Sequence, residues 1–154
     1  MEQQKATLQG YHRAFCIHSH HYRGTPENPG LVLGLDRGGS CIGTAFRVAD
    51  EEWDNVVTYL NDRELIGYAY APRVLPILLS ERSVVAYTFV ADSDHKHYAG
   101  NQGLEKSAQI IMAASGKMGR NRDYLISMVH ELEGLGFLDQ EHHKLLERVK
   151  YLSG

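Results

Sequence analysis

The chain has 154 residues, 43% hydrophobic and 23% charged, with a formal net charge of −3, the size and balance of one soluble globular domain with a single core. The negative charge argues against a surface that neutralises a nucleic-acid backbone, and no apolar run reaches the about 18 residues a membrane helix needs. The opening MEQQKATLQG lacks the apolar segment of a secretory signal, and Cys16 and Cys41 stand at neither metal nor disulfide spacing; a cytoplasmic setting and a small-molecule or protein partner follow.

Phe15, Cys16 and Ile17 within residues 11–17 predict a strand entered at Gly10. Residues 18–30, with two glycines and two prolines, read as a long turn. Its His18, His20 and His21 leave two readings. A polar loop is preferred, because no carboxylate or cysteine stands at ligand spacing; a metal site is the minority reading, with His18 and His20 on one strand face. Leu31 to Leu35 is a short apolar strand, Asp36 to Ser40 a hairpin turn whose glycines supply positive φ, and Cys41 to Val48 the returning strand. Gly34 and Gly43 inside these strands admit close approach by a ligand or backbone, or mark a barrel corner.

Asp50 is placed to cap a helix in which Trp53, Val56, Val57 and Leu60 recur at i, i+3, i+4 and i+7. That helix ends near Leu60 and delivers Glu64 just past its last turn, against Leu65, Ile66, Gly67 and Tyr68. A carboxylate at such an apolar edge is a candidate general base; a solvated helix-end charge is the plain alternative. Tyr68 to Leu79 contains Pro72 and Pro76 and reads as an edge or irregular strand, whereas Ser83 to Ala91 is a cleaner one. Three helices follow, over Leu104 to Ser115, from a cap at Asn121 to about Leu135, and from a cap at Asp139 to about Leu152. The Gly116-Lys117-Met118-Gly119 connector lacks phosphate-loop spacing, and no Gly-x-Ser-x-Gly elbow occurs. Strands first and helices later describe one α+β domain over residues 1–154.

Taken in order, GYHRAF at 10–15, RGTPENPG at 23–30, CIGTAFRV at 41–48, RELIGY at 63–68, YTFVAD at 87–92 and ASGKMGRNRDYL at 114–125 resemble the ChaC-like γ-glutamylcyclotransferases, the glutathione-degrading branch of their superfamily. The resemblance implies a small mixed β-barrel with flanking helices. It also implies conversion of glutathione to 5-oxoproline and cysteinylglycine with no cofactor or metal. The family's catalytic glutamate stands in an arginine-glutamate pair shortly before a glycine and an aromatic residue, which matches Arg63-Glu64-Leu65-Ile66-Gly67-Tyr68; relatives often carry two glycines there, and this chain has only Gly67. An apolar setting beside Leu65 and Ile66 suits Glu64 to accept a proton and return it.

Tyr124 matches a family tyrosine near the substrate, with a core aromatic as the simpler role. Arg23 would pair a glutathione carboxylate or fix its turn. Tyr68 would line the pocket or pack within its strand. The family's Tyr-Gly-Ser-Leu loop, which holds the γ-glutamyl end and supplies oxyanion donors, has no counterpart beside MEQQKATLQG. The expected architecture is therefore a barrel lacking its first strand, with an exposed edge open to self-association. The alternative function is a noncatalytic or truncated relative that binds a γ-glutamyl ligand or a protein partner.

Overall fold

The computed structural model describes residues 2–65, 69–137 and 139–154, with the side chains of Glu64 and Leu65 outside the description. Strands β1 (Glu2–Ser19) and β2 (Gly30–Arg47) precede helix α1 (Trp53–Leu65), strands β3 (Tyr70–Leu78) and β4 (Ser83–Ala91), helix α2 (Leu104–Ala113), a small hairpin of β5 (Ser115–Gly116) and β6 (Gly119–Arg120), and helices α3 (Asn121–Gly134) and α4 (Gln140–Leu152). The four long strands form one sheet in the order β2-β1-β3-β4. The chain divides into two compact units, Met1–Arg13 with Leu35–Lys96 and Ala14–Gly34 with His97–Gly154. The α+β class holds, but among the described residues the sheet is open and not closed into the expected barrel. Closure requires the end strands to pair with each other at a fixed tilt and stagger; here β2 and β4 instead line a common cavity together with α1.

In the first unit, glycines set the path of the long strands. Gly10 has φ +91° and lies inside β1, which starts at Glu2 and not at Gly10 as expected. Ala6 and Leu8 before it and Tyr11 after it belong to one apolar cluster, so the odd step from 8 to 11 breaks the two-residue period and keeps the same face inward. Gly38 and Gly39 adopt positive φ, 105° and 66°, as expected, yet inside a continuous β2. Pairing with β1 extends the strand through what local sequence reads as a hairpin turn, and Nδ1 of His12 lies 2.9 Å from the Gly38 carbonyl oxygen.

Asp50 opens a single 3₁₀ turn and makes no side-chain cap. The carbonyl of Ala49 accepts from the Glu52 N–H at 2.9 Å. From there α1 runs on to Leu65, so Glu64 falls within its last turn and not beyond it.

The β3 strand lies between β1 and β4, where its prolines had suggested an edge. Hydrogen bonds from Asp92 N to Ala69 O and from Leu79 N to Arg82 O, both 2.8 Å, bracket the register Tyr70↔Ala91 through Leu78↔Ser83. Odd-numbered residues of β3 therefore bond to β4, and the nitrogens of Pro72 and Pro76 face β1. On that side β3 pairs with β1 at Thr7↔Leu78, so the missing donors leave the β4 ladder intact.

The second unit packs Ala108 and Ile111 of α2, Leu125 and Val129 of α3, and Leu145, Leu146 and Val149 of α4 with Phe15 and Leu31, at the spacings of single helix faces. Asp139 caps α4 as expected, accepting from Glu141 N. Asn121 does not cap α3. Its fully buried side chain accepts from Leu31 N and donates to Leu31 O, both at 2.8 Å, because backbone groups of β2 buried there need partners. Among the described residues no helix is long and apolar enough to cross a membrane.

Candidate active site

The loop that carries Arg23 is held by close backbone contacts. A Cβ on Gly24 would overlap the backbone of Gly30 and Ser19, and one on Gly116 would overlap that of His21 and Gly24; only glycine fits at either place. Lys117 N and Met118 N, at the tip of the β5–β6 hairpin, donate to the carbonyls of His21 and Tyr22 at 2.8 Å. Thr25 and Asn28 exchange backbone bonds at 3.1 Å, and the Asn28 amide donates to Ala113 O at 2.7 Å. A rigid turn results, and Arg23 N donates to Ser19 Oγ at 3.0 Å at its root.

This frame brings Arg23 and Tyr124 together. The guanidinium carbon lies 5.5 Å from the Tyr124 ring centroid, within cation–π range, and Nη1 donates to Arg120 O at 3.3 Å, the turn-fixing contact weighed above. Tyr124 Oη accepts from Leu33 N at 3.1 Å, which leaves its own O–H as a donor. Burial pushes the phenol pKa up, countered in part by the Leu33 bond and the Arg23 charge. A neutral hydroxyl donor thus stands beside a cation, a pairing suited to a carboxylate or amide oxygen.

His20 stacks on His97 with centroids 4.1 Å apart and planes at 29°, and His18 meets His20 edge-on at 6.0 Å. Stacked rings direct their lone pairs in near-parallel planes and not at one point. Among the described residues no set of three His, Cys, Asp or Glu side chains could hold a metal.

The first unit contains a cavity of about 850 Å³ lined by Trp53, Val56, Val57 and Leu60 of α1, by Ala6, Leu8, Leu35, Ala45 and Ile77 of the sheet, and by Arg13, Arg47 and Arg82. Tyr87 fixes α1 over β4 through an Oη bond to Asn61 Oδ1 at 2.5 Å and an edge contact with Trp53 at 6.2 Å. Position 64 follows position 60 by one turn of the same helix. The Glu64 carboxylate and the whole of Tyr68 lie outside the described residues. A Cβ on Gly43 would lie 3.0 Å from Arg13 Nη2. The side chain that comes close to this glycine is the guanidinium.

A family model described as ChaC-like protein matches residues 1–152. The chain belongs to this family. Within the ChaC-like proteins it is 39% identical over 147 residues to the glutathione-specific gamma-glutamylcyclotransferase of Escherichia coli (strain K12), a match covering 95% of this chain and 64% of that protein. It is 31% identical over 154 residues to gamma-glutamylcyclotransferase 2-3 of Arabidopsis thaliana, covering 94% of this chain and 77% of that one. A crystal structure of the γ-glutamyl cyclotransferase specific to glutathione from yeast matches with a TM-score of 0.84 at 20% identity, over 100% of this chain and 92% of that chain, which shows a shared fold. The chain spans just under two thirds of the E. coli relative's length.

Proposed function

We propose that this ChaC-like protein is a γ-glutamylcyclotransferase acting on glutathione. The observation that carries the reading is the 39% identity, across 95% of the chain, to an E. coli protein named for that activity. In this reading the α-amine of the γ-glutamyl residue attacks the carbonyl of its own side-chain amide. The five-membered ring closes as the C–N bond to cysteine breaks, and the proton lost by the attacking amine reaches the departing one. Products are 5-oxoproline and cysteinylglycine, with no water or electron acceptor consumed. Because nucleophile and electrophile are tethered, the protein has chiefly to orient them and move one proton.

Glu64 is the base, and then the acid, of this proposal; Arg23 and Tyr124 hold the substrate, and Tyr68 lines the pocket. The 5.5 Å approach of Arg23 to Tyr124 supports their joint role. Both compact units are read as one domain, since the family match spans them. Cytoplasmic residence belongs to the same reading, supported by Cys16 and Cys41, neither of which is joined in a disulfide among the described residues. Self-association through an exposed sheet edge is also part of it, supported by the open order β2-β1-β3-β4.

Purified protein incubated with glutathione should release cysteinylglycine and 5-oxoproline in equal amounts, and Glu64→Gln should lower the rate about 10²- to 10⁴-fold. Equal turnover by the two proteins would remove Glu64 as the base. A folded wild type that binds glutathione without turnover would be the noncatalytic alternative.

A further inference from the structure

We propose that Arg120 is a positioning residue for the Arg23–Tyr124 surface: by holding Asp123 in a two-point ion pair, it keeps that carboxylate off the Arg23 guanidinium and leaves the guanidinium to a substrate carboxylate. The inference rests on the glutathione reading above, in which Arg23 and Tyr124 hold the substrate. Arg120 ends the β5–β6 hairpin and directly precedes α3, so its backbone and its side chain serve different neighbours. The Arg120 carbonyl accepts from Arg23 Nη1 at 3.3 Å. Its side chain turns instead to Asp123 in the first turn of α3, with Nε 3.0 Å from Oδ2 and Nη2 3.1 Å from Oδ1. The residue after Asp123 is Tyr124, whose ring centroid lies 5.5 Å from the Arg23 guanidinium carbon.

Asp123 thus stands one helical turn from one residue that Arg23 touches and beside the other. A carboxylate there is an intramolecular rival of a substrate carboxylate, since a guanidinium takes either through the same planar fork. The Asp123 carboxyl is held below the usual carboxylate range first by its hydrogen bonds to Arg120, against a small opposing effect of burial, and then by the charges of Arg120, Arg122 and Arg23. It therefore feels Arg23 even while bound to Arg120. Both side chains of the Arg120–Asp123 pair are half exposed, so solvent screens it and its weight in overall stability is small; what it fixes is the direction in which Asp123 points. A rival that occupies Arg23 part of the time weakens substrate binding by the fraction of sites left competent. A carboxylate remote from ring closure is held equally in the ground and transition states, so the loss falls on KM and not on kcat.

Steady-state kinetics with glutathione on the full chain test this. Arg120→Gln, which frees Asp123 and keeps the backbone carbonyl, should raise KM about 2- to 5-fold with kcat unchanged. Adding Asp123→Asn should return KM to the wild-type value, and Asp123→Asn alone should leave it at or below that value. Arg122→Gln removes the same charge from the same turn without freeing Asp123, and should leave KM near that of the wild type. A rise equal to that of Arg120→Gln would assign the effect to net charge and overturn the inference, as would a KM that Asp123→Asn does not restore. The carboxyl carbon of Asp123, followed by NMR through a pH titration, reads the change of partner without glutathione. In Arg120→Gln the Asp123 pKa should stay low because Arg23 replaces Arg120, and it should rise when Arg23→Ala is added; a pKa indifferent to Arg23 overturns the inference. A wild type without turnover in which Asp123 responds to Arg23 in this way would support the exchange while removing the glutathione reading. Turnover with an Asp123 that ignores Arg23 would do the reverse.

Discussion

At the scale of single residues, Asn121 and Tyr124 show how one helix turn secures a candidate binding surface. Both reach from α3 to the backbone of β2, Asn121 at Leu31 and Tyr124 at Leu33. Asn121→Ala would leave a buried N–H and a buried C=O without their partner, at about 1–3 kcal/mol each, and differential scanning calorimetry should show a fall of several degrees in the thermal midpoint. Asn121→Asp should recover little of that loss, since a carboxylate accepts from Leu31 N but cannot donate to Leu31 O. Tyr124 gives a prediction of opposite form. Its phenol pKa is raised above the ordinary 10.0, first by burial. The unfolded chain therefore loses this proton first, so the contribution is intact below pH 10 and declines as pH rises through the folded value. Urea titrations between pH 9 and 11 should show wild-type stability dropping more steeply than that of Tyr124→Phe.

At the scale of elements, the end of β1 carries a proton-sensitive join. His18 N donates to His97 O at 2.8 Å, and the Nδ1 atoms of His18 and His20 are shielded from solvent with no hydrogen-bond partner among the described residues. Burial lowers the His18 pKa from its ordinary 6.5, with His20 and then Lys106 of α2 adding to the effect against an opposing bond at Gly30. Since the unfolded chain takes up this proton first, stability is whole above about pH 6.5 and is lost as pH falls through the folded value. Thermal midpoints measured from pH 7.5 to 5 should fall, and His18→Gln should flatten that slope; an equal slope in the variant would exclude His18 as its source. The same elements show what could be read in the sequence. β4, α2 and α4 were legible because their period and, for α4, the Asp139 cap are local. Gly38 and Gly39 were misread because positive φ serves a hairpin turn and an interruption within a strand equally, and only the neighbouring β1 decides between them. Pro72 and Pro76 suggest an edge or irregular strand, whereas β3 lies between β1 and β4; parity against β4, which points both proline nitrogens away from that ladder, is a property of two strands and not of one. Arg23 and Tyr124, named through separate family motifs, lie together in the structure, a proximity that depends on the packing of two distant segments and not on either motif alone.

At the scale of the whole molecule, the open sheet leaves apolar surface on the face opposite the first unit's apolar cluster. Val74, Leu78 and Val85 are 65%, 44% and 72% exposed, and the register Val74↔Tyr87 and Pro76↔Val85 sets them side by side across β3 and β4. With β4 at an end of the sheet, this is the combination that invites edge pairing with a second copy. Sedimentation velocity should detect association that grows with concentration, and Val85→Lys should shift the population toward monomer without lowering the thermal midpoint. A wild type monomeric throughout the accessible range would remove self-association from the reading.

Gly10 has a consequence for how this chain tolerates change. Because the residue itself has nothing within 4 Å of a would-be Cβ, its task is one of counting and not of fit. A strand with a single odd residue can gain or lose pairs of residues on either side and still present the same faces, but an insertion or deletion of one residue between Leu8 and Arg13 exchanges inside for outside along everything beyond it. Length variation among such chains is therefore expected in steps of two on this strand, and the glycine marks the one position from which the steps are measured.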